Sequence, residues 1–188
     1  MVTEPIRDKN MLRLFADYWH KKGNLRNYVL IVLGVYTALR VGDLLRLVWA
    51  DVYDAQCGKF HTHITLIEQK TGKYKVVALN KQAVNALNLY LPNSRGNFIF
   101  ASSRKDGRAI SRIQAWRIIR TAAEAVDLTG HVGCHSLRKT FGYFAWRNGT
   151  LPVVLMDIYN HSSYEVTRRY LGISQDDRDK VYTGMVLF

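Results

Sequence analysis

Three short stretches of this chain contain side chains that could act together on a phosphate ester. Attack on a phosphodiester needs a nucleophile, a proton acceptor and fixed cations for the phosphate charge, which Tyr, His and Arg can supply. Each residue type is common by itself, so the ordered set carries the information. The set comprises Arg40, His135 and Arg138 in a His-x-x-Arg spacing, and His161 followed nine residues later by Tyr170.

The chemistry that this set suggests is strand cleavage through a covalent intermediate. A tyrosine hydroxyl can cut a strand without water or a metal because the phosphate stays in an ester, and the bond energy is then kept for rejoining. The transition state places negative charge on two non-bridging oxygens, to which two fixed guanidiniums can donate paired hydrogen bonds. Imidazole suits the proton transfers because it titrates near neutral pH.

On these residues the chain resembles the catalytic domain of the tyrosine recombinases, or phage integrases. That domain carries an Arg, a Lys, a His-x-x-Arg, a second His and a Tyr in this order, and the resemblance covers nearly the whole chain. The matching elements are Thr37-Ala38-Leu39-Arg40, Lys70-Thr71, His135 to Arg138, Asn160-His161-Ser162 and Tyr170.

The resemblance implies a role for each position. Tyr170 would attack the scissile phosphate to give a 3′-phosphotyrosyl link and a free 5′-hydroxyl, with His135 assisting removal of the phenol proton. His161 would hydrogen-bond a phosphate oxygen, and Lys70 would protonate the leaving 5′-oxygen. The arginines Arg40 and Arg138 would stabilise the phosphate charge.

Two of these assignments have rivals nearby in the sequence. Tyr164 also follows His161, but the family interval places the nucleophile at the end of the next short helix, where Tyr170 is. Lys73 and Lys75 share a predicted hairpin with Lys70 and could also reach a leaving group; the place of Lys70 before a threonine matches the family best.

No metal or nucleotide cofactor is expected. His131 and His135 are four residues apart, as metal ligands on a helix could be, but Gly133 between them disfavours a helix and no Glu follows the first histidine. Three positions depart mildly from the family pattern, which usually has Gly, Glu and Gly there. They are Ala38, Asp43 and Asn160.

Composition points to a polyanionic partner. The chain has 188 residues, 48% of them hydrophobic, and 27 Lys and Arg against 15 Asp and Glu give a net charge of +12. Cys57 and Cys134 stand far apart, which predicts neither a disulfide framework nor a cysteine zinc site and suits a reducing cytoplasm. The apolar run Tyr28 to Leu39 is too short to span a bilayer, and Met1 to Lys9 is too charged for a signal peptide.

Periodicity predicts an α+β fold that is mainly helical, with one small antiparallel sheet between Lys59 and Ala78 that has three strands by family resemblance. Thr71-Gly72 interrupts the strand pattern and predicts a hairpin with Lys70 at its tip. Loops are expected at Pro92 to Asn97 and Arg104 to Gly107. Helices are expected at Asn10 to His20, Leu25 to Thr37, Val41 to Leu47, Lys81 to Leu91, Ser111 to Val126, Leu137 to Arg147, Pro152 to Tyr159 and Tyr164 to Leu171.

The sequence predicts a single catalytic domain over residues 1–188, because no repeat or linker divides it. Family members usually carry a preceding helical domain that grips the DNA, and that domain is not expected here. Ser174 to Val186 is expected to form a short helix followed by an apolar end. By family resemblance this tail could pack into a neighbouring subunit.

The resulting hypothesis is a site-specific DNA recombinase that acts on double-stranded DNA in the nucleoid-associated cytoplasm. It is expected to be a homotetramer on DNA and a monomer when free of DNA, and an accessory DNA-binding partner could assist it. Two alternatives stay open. One is a strand-relaxing enzyme of the type IB topoisomerase kind, and the other is a non-catalytic DNA-binding regulator that has kept the fold. An RNA-binding or membrane-surface role lacks any matching motif.

Overall fold

The computed structural model describes residues 3–103, 107–171, 173 and 175–185. Side-chain oxygens cap several helix starts: Asp8 accepts from the Met11 amide, Asn24 from Asn27, and Asn80 from Ala83. The helices are α1 (Lys9–Lys21), α2 (Leu25–Thr37), α3 (Val41–Leu45), α4 (Lys81–Tyr90), α5 (Arg112–Ala125), α6 (Cys134–Arg147), α7 (Pro152–Tyr159), α8 (Tyr164–Leu171) and α9 (Gln175–Thr183).

Helix α2 forms the centre of the fold. Val29, Leu30, Ile31 and Leu33 are fully buried on it, so it is apolar nearly all round, as expected of a helix that is covered on every side. It packs against α1, α4 and α6. Because α2 is enclosed, its C-terminal end is a fixed point from which Arg40 can be positioned.

The strands form two small antiparallel sheets, so the prediction of one three-stranded sheet was wrong in this detail. Strand β1 (Tyr53–Asp54) pairs with β2 (Lys59–Phe60), and β3 (His63–Ile67) pairs with β4 (Tyr74–Ala78). After β2 the His61 amide still bonds back to the Val52 carbonyl at 2.9 Å, and the chain then bends before β3 begins. The backbone hydrogen bonds of β2 are therefore made to β1, and β2 does not pair with β3.

The β3–β4 hairpin turns at the expected place. Gly72 has a φ of +65°, a conformation that glycine adopts without steric cost, and its amide bonds to the Glu68 carbonyl at 2.9 Å. Along β4 the side chains alternate, and Lys75 and Val77 face inward. The hairpin thus carries a lysine into the protein interior.

Helices α6, α7 and α8 enclose a small apolar cluster around Ala38, Leu155, Tyr159 and Leu171. Helix α6 begins at Cys134 rather than at Leu137 as predicted, which places His135 and Arg138 on one helix. Helix α3 ends at Leu45, two residues before its predicted end.

The predicted tail helix corresponds to α9, but its predicted ends at Ser174 and Val186 lie outside the described residues, as do 104–106 of the predicted loop. Among the helices that the structure describes, none is long and apolar enough to cross a membrane.

Candidate active site

Arg40 lies between the end of α2 and the start of α3. Ala38 caps α2 in the left-handed region, with φ 52°, which turns the chain so that Arg40 caps α3. The Nη1 atom of Arg40 is 2.7 Å from Oε2 of Glu68, and its Nη2 donates a long hydrogen bond of 3.4 Å to the Tyr159 carbonyl. The Arg40 side chain is 18% exposed, so it is less enclosed than a core residue.

Arg138 is buried, with 1% of its surface exposed. Its Nη1 donates to the Ala38 carbonyl and its Nη2 to the Tyr159 carbonyl, the latter at 2.9 Å. Burial and the charge of Arg40 lower the pKa of Arg138. Both carbonyls stand at helix C-termini, where the helix dipole places partial negative charge, and this favours a cation.

Tyr170 and His135 are joined directly. The phenol oxygen of Tyr170, at the end of α8, is 2.5 Å from Nε2 of His135 near the start of α6. Although His135 as a whole is exposed, desolvation of its ring and the charges of Arg138 and Lys139 lower its pKa to about 4. The ring is therefore neutral at pH 7 and can accept the phenol proton at Nε2 when Nδ1 carries its own.

His161 is the second imidazole of the cluster. Its Nδ1 lies 3.0 Å from Oγ1 of Thr167, and its ring stacks on Tyr159 with 5.0 Å between ring centroids. The centroid of Tyr170 is 4.8 Å away. Desolvation and the charges of Arg138 and Arg40 lower the pKa of His161 to about 4, so it too is neutral at pH 7.

Lys70 sits apart from this cluster, in the turn of the hairpin, where it is exposed. Within the described part of the chain it forms no ion pair, yet its charge is among those that lower the pKa of His135. The structure thus places five of the six predicted residues together and Lys70 at their edge. The amide of Gln69 bonds to Oδ1 of Asp43 at 2.9 Å, which fixes this turn against α3.

Sequence reasoning missed a buried carboxylate, Glu68, which is fully buried at the base of the turn. Burial alone would raise its pKa, but hydrogen bonds from Arg40, Asn160 and Thr71 outweigh burial and lower it to about 2. Asn160, at φ 52°, donates to Glu68 at 3.0 Å. The carboxylate therefore links the hairpin to Arg40 and to the segment before His161.

Lys75, which the sequence offered only as a rival of Lys70, is the second member of this buried network. Its Nζ lies 3.5 Å from Oε1 of Glu68 and donates to the Ile158 carbonyl at 2.5 Å. Burial and the charge of Arg138 lower its pKa to about 8, although Glu68 acts in the opposite direction. A lysine at an inward position of an alternating strand implies a buried partner, and that signal could have found Glu68.

In the described residues, no group of three or more His, Cys, Asp and Glu side chains could hold a metal ion.

Comparison with known proteins supplies the family. The phage integrase family model matches residues 5–176. A probable integrase/recombinase, YoeC of Bacillus subtilis strain 168, is 34% identical over 96% of this chain and 96% of its own length. The chain belongs to the phage integrase family.

Other family members are longer than this phage integrase chain. The tyrosine recombinase XerD of Mycobacterium tuberculosis is 27% identical over 85% of the chain, which spans 52% of that relative. A crystal structure of the XerH site-specific recombinase bound to a palindromic difH substrate, in a post-cleavage complex, superposes with a TM-score of 0.77 at 18% identity. That match covers 94% of this chain and 51% of XerH. The resemblance and the mainly helical fold class are confirmed.

Proposed function

We propose that this phage integrase domain is a tyrosine-type DNA strand transferase that works in site-specific recombination. The observation that carries the proposal is the 2.5 Å contact between the Tyr170 hydroxyl and Nε2 of His135, beside two buried or half-buried arginines. A nucleophile within hydrogen-bond reach of a neutral base is the arrangement that covalent catalysis needs.

In the proposed reaction the phenol oxygen of Tyr170 forms a bond to the scissile phosphorus while its proton passes to His135. The bond from phosphorus to the 5′-oxygen breaks, and that oxygen takes a proton from Lys70 and leaves as a hydroxyl. Rejoining is the reverse, with a 5′-hydroxyl attacking the phosphotyrosine. The pKa of His135, about 4, leaves its ring free to accept a proton at neutral pH.

Arg40 and Arg138 are proposed to hold the negative charge of the pentacoordinate phosphate. Their positions are set before DNA arrives, because Arg138 is bound to the carbonyls of Ala38 and Tyr159 and Arg40 to Glu68. Cations that need no reorganisation during the reaction stabilise a transition state most effectively. His161 is proposed to donate to a phosphate oxygen.

Double-stranded DNA is the proposed partner, as the net charge of +12 and the DNA complex of XerH support. A homotetramer on DNA, formed with or without an accessory partner, and action at the nucleoid are proposed by analogy with the family.

Trapping the covalent intermediate tests the proposal. A duplex nicked near the cleavage site loses a short fragment after attack and accumulates the adduct, which is scored as a shifted band on a denaturing gel. We expect Tyr170→Phe to abolish the adduct and to leave DNA binding unchanged, since only the hydroxyl is removed. The matched control is Tyr164→Phe, because Tyr164 lies on the same helix and is 43% exposed.

An adduct that persists in Tyr170→Phe and disappears in Tyr164→Phe would reassign the nucleophile. DNA binding by the wild-type chain without any adduct would favour the regulator. Relaxation of supercoiled plasmid without exchange between two sites would favour the topoisomerase-like enzyme.

A further inference from the structure

Tyr159 is the last residue of α7, and its side chain is completely buried. Its hydroxyl donates a 2.8 Å hydrogen bond to the Arg138 carbonyl in α6. Burial raises the pKa of this phenol, so it stays protonated and is no rival nucleophile. Nothing in the sequence motifs marked this residue.

Tyr159 contacts four of the six predicted catalytic positions. Its carbonyl accepts hydrogen bonds from Arg138 at 2.9 Å and from Arg40 at 3.4 Å. The Arg138 guanidinium carbon lies 4.5 Å from the centroid of its ring, within the range of a cation–π contact. The same ring stacks on His161 and lies 4.9 Å from the Tyr170 ring, centroid to centroid.

The space for this ring is created by a glycine. A methyl group on Gly142 of α6 would overlap the Tyr159 hydroxyl and lie 3.1 Å from Cζ and 3.2 Å from Cε2. Gly142 is in the middle of a helix, where glycine is less favourable than alanine by about 1 kcal/mol. Its presence here is explained by the close approach of the phenol.

We infer that Tyr159 is a positioning residue of the active site, whose ring sets the orientation of His161 relative to the Tyr170 nucleophile. The inference rests on the proposed function. The backbone carbonyl anchors the arginines whatever side chain stands at 159, whereas the rings of His161 and Tyr170 both pack against the Tyr159 ring. Loss of the ring therefore misaligns the nucleophile and His161 while the arginines stay in place.

Tyr159→Leu separates these contributions, because it keeps the carbonyl and removes the ring. We expect the single-turnover rate of adduct formation at saturating DNA to fall by about 10²-fold, the scale of a 1 Å misplacement of reacting groups. The dissociation constant for DNA should stay the same. Tyr159→Phe keeps the ring and should restore a rate close to that of the wild type.

The matched control is Tyr90→Leu, which removes another buried tyrosine, 6% exposed, from the main core cluster, to which Tyr159 does not belong. It should lower the melting temperature and leave the cleavage rate unchanged. If Tyr159→Leu and Tyr90→Leu lose melting temperature and cleavage rate in the same proportion, Tyr159 is only a core aromatic and the inference is overturned.

A double-mutant cycle with Gly142 tests the packing directly and needs only conservative changes. Gly142→Ala should slow cleavage in the wild-type background, because the new methyl group pushes the phenol and with it the rings of His161 and Tyr170. Combined with Tyr159→Phe the loss should be smaller, since the overlapping hydroxyl is gone and only the 3.1 and 3.2 Å contacts remain. Additive losses would contradict the inference.

Failure of the proposed function gives a different result. A wild-type chain that binds DNA and forms no adduct would refute strand transfer. A wild-type chain that forms adducts, together with a Tyr159→Leu variant that forms them equally fast, would refute only the role of Tyr159.

Discussion

The arginine side and the hairpin side of the active site are built in opposite ways. Arg138 is 1% exposed and is bound by carbonyls at the ends of α2 and α7, so its guanidinium is fixed by main-chain oxygens. Lys70 is exposed in a turn and forms no ion pair within the described residues. One cation is held in place, and the other is left free to adjust.

The proposed chemistry explains this difference. Charge stabilisation gains from cations that are already in position and shielded from water. Delivery of a proton to a leaving oxygen needs a group that reaches an atom of the substrate, which is absent until DNA binds. Glu68 joins the two sides, because it binds Arg40 and Lys75 and lies two residues from Lys70.

The largest effect is expected from the arginines. Arg138→Ala and Arg40→Ala should each slow adduct formation by roughly 10² to 10³-fold, as loss of one preorganised donor does in other enzymes. Both variants should also destabilise the fold. Arg138→Ala costs about 1–3 kcal/mol for each carbonyl left unpaired, and Arg40→Ala leaves the buried Glu68 carboxylate without its nearest cation. Single-turnover kinetics and urea unfolding measure the two effects.

Arg13→Ala is the control for this prediction, because the Arg13 side chain is 84% exposed in a surface pair with Asp17. A loss of cleavage rate or stability in Arg13→Ala as large as in the two active-site variants would show that the effects do not come from the site.

The lysine prediction is smaller and more specific. Lys70→Ala should slow cleavage of ordinary DNA by about 10²-fold, the lower range for loss of a general acid. A substrate with sulfur in place of the bridging 5′-oxygen has a leaving group that needs no proton, so it should restore near-normal cleavage by Lys70→Ala.

Lys73→Ala, Lys75→Ala and Arg138→Ala serve as comparisons, and sulfur should rescue none of them. Rescue of Lys73→Ala or Lys75→Ala, with Lys70→Ala still inactive, would show that another hairpin lysine is the acid. Failure to rescue any of the lysine variants would place the acid elsewhere.

Glu68, which joins the two sides, should contribute chiefly to the stability of the fold. Glu68→Gln keeps the shape of the side chain and removes the charge that faces Arg40 and Lys75. We expect a loss of about 1.5–3 kcal/mol in the free energy of unfolding, since hydrogen bonds to charged groups are worth that much. Chemical denaturation measures it, and Glu124→Gln, whose partner Arg120 forms an exposed pair, should change little. An equal change in the free energy of unfolding of Glu68→Gln and Glu124→Gln would mean that the buried network stabilises the fold no more than an exposed ion pair does.

The two histidines beside the arginines and Lys75 on the hairpin should titrate in separate pH ranges. His135 and His161 have folded pKa values of about 4 against an ordinary 6.5, so the unfolded chain binds more protons between these values and stability falls as pH falls through them. Lys75 has a folded pKa of about 8 against 10.5, so its contribution to stability rises with pH across that interval.

Melting temperature against pH measures both windows. His161→Asn should flatten the acid slope without altering the alkaline one, and Lys75→Met should do the reverse. A single variant that flattens both slopes would show that the two sides titrate as one unit.

Much of this arrangement was predictable from the sequence. The helices around Arg40, Arg138 and Tyr170 follow from apolar periodicity, and the turn after Lys70 follows from Thr71-Gly72. The ordered motifs predicted the family, which the comparisons confirmed. The roles of the six residues are untested by these comparisons and stay predictions.

The rest depends on contacts between segments that are distant in sequence. Glu68 and Lys75 look like ordinary hairpin charges until the hairpin is packed against α7. Tyr159 is separated by 17 positions from Gly142, the residue that makes room for it, and no periodicity connects the two. The number of sheets was missed because two-residue strands such as β1 and β2 leave little signal in a sequence.

Both arginines bind main-chain oxygens, and this limits how the sequence of this enzyme can change in evolution. A point substitution at 38 or 159 changes a side chain but leaves the acceptor oxygen where the helix ends. Insertion or deletion of one residue near the end of α2 or α7 would instead rotate that oxygen away from the guanidinium. The position of these two acceptor oxygens should therefore depend less on residue type than on segment length.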